Sequence, residues 1–176
     1  MKENSLQSQK MPAVEPGMIR TFTGKMINVF EPDPELICIE DIAHALSNLC
    51  RFGGHTRQFY SVAEHSLLVA NLVSHKHKLA ALLHDASEAY LVDIPSPIKY
   101  FIPKYREYEE NLMLAIAEKF GFQFPLHTDV VKADKEALKQ EKTTIFNIGR
   151  NDYTLRRPEE AETRFLNYFE FQMLNY

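Results

Sequence analysis

Apolar residues recur at steps of three and four along most of this chain, the period of amphipathic helices. Residues 39–50 carry Ile42, Ala43, Leu46 and Leu49 at that spacing and predict a first helix. Ser61, with Glu64 three residues later, has the form of a capping box and opens a second helix running to about Ser74. A third is expected over 77–91, stopped by Pro95 and Pro97, and a fourth over 104–120, ended by Gly121. The fifth spans 128–146, and Pro158 suits the first turn of a sixth that ends near Met173. Upstream, Ile19, Phe22, Ile27, Val29 and Phe30 flank the turn residues Gly24 and Lys25, which predicts a short β-hairpin. Residues 1–17 are polar, contain Pro12 and Pro16, and read as a flexible leader before a single domain over 18–176. The expected fold is all-α, a bundle of about five or six helices with a small N-terminal β-hairpin.

Several polar residues occupy positions where that pattern calls for apolar ones. His65 falls within the stripe Val62, Leu68, Val69, Leu72 and Val73 of the second helix. Asp134 lies between Val130, Val131, Leu138 and Ile145 on the fifth, and a buried carboxylate is costly unless a cation or several donors satisfy it. The third helix carries His84 and Asp85 side by side, with Glu88 one turn beyond His84. Each residue alone has an ordinary structural reading, as a hydrogen-bonded core histidine or half of a buried ion pair. Together, two imidazoles and two carboxylates form a mixed nitrogen and oxygen donor set suited to a divalent metal.

Composition narrows the class. A chain of 176 residues that is 45% hydrophobic has enough apolar surface to build a core. Its net charge of -4 argues against a duplex DNA or RNA binder. The two cysteines, Cys38 and Cys50, are too few for a disulfide framework and read as reduced core residues. With no apolar run long enough to span a bilayer and no secretory signal, a cytoplasmic location is expected.

The same residues resemble the H…HD…D signature of HD-domain metal-dependent phosphohydrolases. RFGGH at 51–55, SVAEHS at 61–66, LLHDASEAY at 82–90 and DIPSPIK at 93–99 resemble the 5′-deoxynucleotidase-like branch and its short prophage-type relatives. KADKEALKQEK at 132–142 and RPEEAETRFL at 157–166 extend the likeness over nearly the whole chain. The resemblance implies an HD-domain bundle in which His65, His84, Asp85 and Asp134 hold one divalent metal, whether Mn, Co, Fe, Ni, Zn or Mg. It implies catalytic roles for Glu88 and Asp93 and a substrate contact for Arg51. The branch usually pairs that Arg with Trp, whereas Phe52 follows Arg51 here, so the substrate pocket is expected to differ.

The chemistry implied is hydrolysis of a small phosphorylated substrate, foremost a nucleoside 5′-monophosphate, by attack of a metal-activated water. Glu88 would orient or deprotonate the water, and Asp93 would position it or protonate the leaving oxygen. Arg51, His55 and Lys99 are candidate phosphate contacts. Alternatives are a phosphodiesterase or pyrophosphohydrolase on another nucleotide, or a non-catalytic metal- and nucleotide-binding protein. Between the HD pair and Asp134 the only histidine is His127, beside Pro125, so one metal is expected. His75 and His77 are expected at a solvent-exposed helix junction. The aromatic end, with Phe165, Tyr168, Phe169, Phe171 and Tyr176, holds more apolar residues than one face can bury, and the resemblance also points to a homodimer.

Overall fold

The computed structural model describes residues 15–146 and 156–175. The leader residues 1–14 and Tyr176 lie outside them. The chain is mostly helical, with a two-stranded antiparallel sheet at its start. Strands β1 (Met18–Arg20) and β2 (Met26–Asn28) pair with Ile19 opposite Ile27. The hairpin tip is fixed from outside. Asp41, at the start of α1 (Ile39–Asn48), accepts hydrogen bonds from the Thr23 backbone N–H at 2.7 Å and the Thr23 hydroxyl at 2.9 Å.

Helix α2 (Val62–Asn71) forms the centre. Its neighbours are α1, α3 (Lys78–Leu82), α7 (Thr128–Thr144) and α8 (Pro158–Leu174). Contact on that many sides requires a helix buried nearly all round. Accordingly Val62, Ala63, His65, Ser66, Val69 and Ala70 are all fully enclosed. Ala63, Ser66 and Ala70 have little volume, which lets neighbouring backbones approach. The expected capping box is present, with Ser61 Oγ accepting the Glu64 N–H at 3.1 Å. Leu72, expected on the inward stripe, is 40% exposed because α2 has ended by then.

One continuous apolar core runs from Ile27 of the hairpin through α1, α2 and α3 to Phe165 of α8. Helix α6 (Pro103–Phe120) contributes Leu112 and Ile116 and stops at Gly121, whose φ of 74° is the left-handed cap expected there. On α8, Phe165 and Phe169 enter the core while Phe171 is exposed. Cys38 and Cys50 are free thiols but only half-buried, because each flanks a loop rather than sitting inside a helix. Among the described residues, no helix is long and apolar enough to cross a membrane.

Three expectations need correction. The third helix is not continuous over 77–91: α3 ends at Leu82, and α4 (Glu88–Leu91) begins after a run of tight turns. There Ala86 N–H bonds Leu83 C=O at 3.1 Å and Glu88 N–H bonds Asp85 C=O at 3.0 Å, the shorter 3₁₀ repeat. A further one-turn helix, α5 (Ser96–Lys99), forms where Pro95 and Pro97 suggested only a stop, since Pro97 occupies its first turn without needing an N–H. Finally, the buried stripe of α7 is Val130, Ala133, Ala137 and Glu141, whereas Val131 is 42% exposed.

Candidate metal centre

The break after α3 determines what His84 and Asp85 can do. Adjacent residues of an α-helix point about 100° apart and do not face each other. In the tight turn, Asp85 Oδ2 lies 3.2 Å from His84 Nε2. His65, from the middle of α2, brings its Nε2 to 3.2 Å from His84 Nε2 and 3.6 Å from Asp85 Oδ2. Asp134 of α7 adds Oδ1 at 3.2 Å from His65 Nε2 and 3.9 Å from His84 Nε2. His65, His84 and Asp134 therefore share metal-ligand spacing, while Asp85 lies beside the two imidazoles and outside that mutually close group.

Each imidazole is held by its other nitrogen. His65 Nδ1 lies 2.6 Å from Glu141 Oε1, and His84 Nδ1 lies 2.8 Å from the Ala81 carbonyl oxygen. Both acceptors require a proton on Nδ1, so in the neutral rings both Nε2 atoms present lone pairs. Two lone pairs facing at 3.2 Å repel unless a proton or a cation lies between them. A tetrahedral ion with bonds of about 2.0–2.1 Å spaces its ligands about 3.3–3.4 Å apart; the His65–His84 and His65–Asp134 separations of 3.2 Å lie close to that and the His84–Asp134 separation of 3.9 Å is wider. Among the described residues, His65, His84 and Asp134 are one of two groups with metal-ligand spacing. The donor set fits a divalent ion.

Electrostatics agree with a cation-seeking centre. Burial disfavours the charged form of His84, yet Asp85 and Asp134 together hold its pKa above the ordinary imidazole range. Asp85 is held well below the usual carboxylate range despite burial, first by His84 and then by His65 and Arg51. Asp134 is lowered too, by His65 and His84 acting against desolvation. A metal would replace the proton shared by this group, so protons and metal compete for it.

Glu141, absent from the sequence expectations, is the main support beneath the centre. Its carboxylate is 1% exposed and takes three partners: His65 Nδ1, the Tyr60 hydroxyl at 3.0 Å and Arg51 Nη2 at 3.0 Å. Burial works against its ionised form, but His65 and Arg51 prevail and its pKa falls below the ordinary value. The signal was its position seven residues after Asp134, two turns along α7.

Arg51 arrives from the loop 51–60, whose ends are tied by Arg51 N–H to Tyr60 C=O at 2.9 Å and Val62 N–H to Leu49 C=O at 3.0 Å. Phe52, Gly53 and Gly54 follow with φ of 57°, 60° and 77°, a left-handed turn for which two glycines lower the cost. The Arg51 guanidinium is buried, bonded to Glu141, and 3.8 Å from Asp85 Oδ2. That commits part of the fork expected for phosphate. His55 sits exposed at the end of this turn, and no hydrogen bond or ion pair links it to the centre among the described residues.

Glu88, Asp93 and Lys99 gather beside Asp85. Glu88 is 5% exposed, its Oε2 has no hydrogen-bond partner, and its Oε1 lies 3.6 Å from Lys99 Nζ. Burial, with Asp85 and Asp93 as like charges, pushes its pKa up to about 10. Asp93 is raised as well, chiefly by desolvation and against the pull of Arg51. Lys99 is paired with Glu109 at 2.5 Å, so it is a shared rather than a free cation. Val92, just before Asp93, has φ of 67° and ψ of 159°, a strained conformation for a β-branched residue.

No family model matches the chain. It is 44% identical over 127 residues to the uncharacterized protein YfdR of Escherichia coli, covering 72% of this chain and 71% of that one. It is 36% identical over 163 residues to the uncharacterized protein RCAP_rcc00048 of Rhodobacter capsulatus, covering 84% and 83% respectively. On that extent of identity, the chain belongs to the protein family that includes YfdR.

Proposed function

We propose that this chain is an HD-type metal-dependent phosphohydrolase that releases phosphate from nucleoside 5′-monophosphates. The observation that carries the reading is the convergence of two imidazole Nε2 atoms and two carboxylates beside the buried carboxyl group of Glu88. A divalent ion held by His65, His84, Asp85 and Asp134 would supply a nucleophile from water at neutral pH and withdraw charge from a phosphoryl oxygen.

The chain's own residues account for the remainder. Glu88 and Asp93 act as an acid–base pair in which Glu88, the group more strongly raised, keeps the proton. A carboxyl group in that state can donate to a leaving oxygen, the role the sequence suggested for Asp93, and recover a proton from water. The desolvated setting that raises Glu88 also keeps bulk water from short-circuiting the transfer. Arg51 holds Glu141 and faces Asp85, so it orients the His65 side of the centre while Nη1 remains directed toward the reacting region. Lys99 balances Glu88 and Glu109 and favours an anionic substrate at the mouth.

The test is free phosphate release from a panel of nucleoside 5′-monophosphates by metal-free protein resupplied with Mn, Co, Fe, Ni, Zn or Mg. Wild type is run beside Asp134→Ala and Glu88→Gln. Metal should restore release, Asp134→Ala should abolish it, and metal-loaded Glu88→Gln should lose about 100-fold or more. Metal-loaded wild type that turns over none of the monophosphates contradicts the reading.

A further inference from the structure

A second group of metal-competent side chains joins the start of α3 to the start of α7. His77 precedes α3, His127 precedes α7, and Asp129 lies in the first turn of α7. The imidazoles of His77 and His127 stack with centroids 4.2 Å apart and planes 17° from parallel, so one ring must turn about its side-chain bonds for both to direct a lone pair at the same ion. Asp129 Oδ2 lies 3.7 Å from His77 Nε2 and 3.5 Å from His127 Nδ1. His75 is exposed as the sequence suggested, but the His77 side chain is only 13% exposed and its Nε2 is buried without a hydrogen-bond partner.

We infer that His77, His127 and Asp129 form a second site for a divalent transition metal such as zinc, nickel or copper. An ordinary surface His–Asp pair closes to a hydrogen bond of about 2.7–3.2 Å. Here the carboxylate stops short of both nitrogens. Ions with bonds of about 2.0–2.1 Å hold their ligands about 3.0–4.2 Å apart, depending on geometry, and both separations fall in that range. Two imidazoles and one carboxylate favour the later first-row divalent ions over magnesium or calcium, and open positions remain for water.

His127 Nδ1 now accepts the Asp129 N–H at 3.2 Å, so binding there would exchange a helix cap for a coordinate bond. The carboxylate of Asp129 offsets the positive end of the α7 dipole near the ion. Asp129 and Asp134 are five residues apart, about 7.5 Å along the helix axis. The two ions would therefore be separate, unlike a catalytic pair about 3.5–4 Å apart. The bound ion would tie the turn leading into α3, and so toward His84 and Asp85, to the helix that carries Asp134. This site does not depend on the phosphohydrolase reading.

The experiment counts zinc per chain by elemental analysis after equilibrium dialysis of the full chain, with circular dichroism to confirm folding. Wild type should hold two ions. His77→Gln should hold one, and so should His127→Asn, which can keep the cap while removing the imidazole. The double variant His84→Ala/Asp134→Ala should also hold one, lost when His77→Gln is added. Two ions in both wild type and His77→Gln overturn the inference, as does a single wild-type ion that the central variant removes. A single ion lost in His77→Gln but kept in the central variant supports this site and contradicts the central one instead.

Discussion

Replacing Glu141 should damage metal binding although Glu141 is not expected to touch the metal. Its carboxylate accepts the His65 Nδ1 proton and also holds the Tyr60 hydroxyl and Arg51 Nη2, all within a buried site. Glu141→Gln preserves volume but replaces one accepting oxygen with a donor that must face one of these three donors. Without a firm acceptor, the His65 ring loses the tautomer and orientation that direct Nε2 at the ion. Loss of such a support costs about 10–100-fold in metal affinity, or about 1.4–2.7 kcal/mol. Glu141→Ala goes further, leaving Arg51 buried without its strongest partner. Breaking a buried pair in that way costs about 3–5 kcal/mol of folding stability. Zinc affinity measured by competition with a chromophoric chelator gives the first quantity, and urea unfolding of metal-free protein gives the second. If Glu141→Gln binds zinc as tightly as wild type while remaining folded, the argument that His65 is oriented through Nδ1 is wrong.

Other outcomes follow from local features. Asp41 is held below its ordinary pKa by hydrogen bonds from Cys38 and Thr23 that outweigh burial. Its contribution is therefore fully present above about pH 5 and lost as the pH falls through the folded-state pKa. Asp41→Asn should lower stability at pH 7 by about 1.5–3 kcal/mol and flatten the acid limb of a urea-unfolding series; an unchanged acid limb would count against it. Ser61→Ala removes the α2 cap and should cost about 1 kcal/mol, read as a shifted urea midpoint. Val92→Gly should stabilise the protein by on the order of 1 kcal/mol, since Val92 is 53% exposed and relief of its positive φ exceeds the added chain entropy. A lower unfolding midpoint for Val92→Gly would show that this conformation carries no strain.

Local signals carried much of the fold. The capping box at Ser61, the left-handed Gly121 and the paired strands around Gly24 each depend on a few neighbouring residues, and each formed as expected. The break after Leu82 was different. The segment from Leu82 to Tyr90 is rich in good helix formers, and nothing local forbids a continuous helix. Tertiary contacts accompany it: from the turn His84 meets His65 and Asp134, while its Nδ1 is held locally by the Ala81 carbonyl.

The site shows the same division. His65 was visible because it interrupts a buried apolar stripe, whereas Asp134 was picked out on a stripe that is not the buried one and its side chain is 43% exposed. Glu141 was hidden because α7 carries charged residues on most sides, and its buried stripe uses Ala133 and Ala137 rather than large apolar residues. Arg51 and Lys99 were legible as cations. The Arg51 commitment to Glu141 joins residues 90 positions apart, and that of Lys99 to Glu109 crosses from α5 to α6, so only the folded chain brings either pair together.

The most direct test of the metal centre is an anomalous difference map from crystals grown with zinc and measured across the zinc edge. The account requires a peak about 2.0–2.2 Å from His65 Nε2, His84 Nε2 and carboxylate oxygens of Asp85 and Asp134. Absence of any peak among these four residues, in crystals whose protein binds zinc elsewhere, would contradict it.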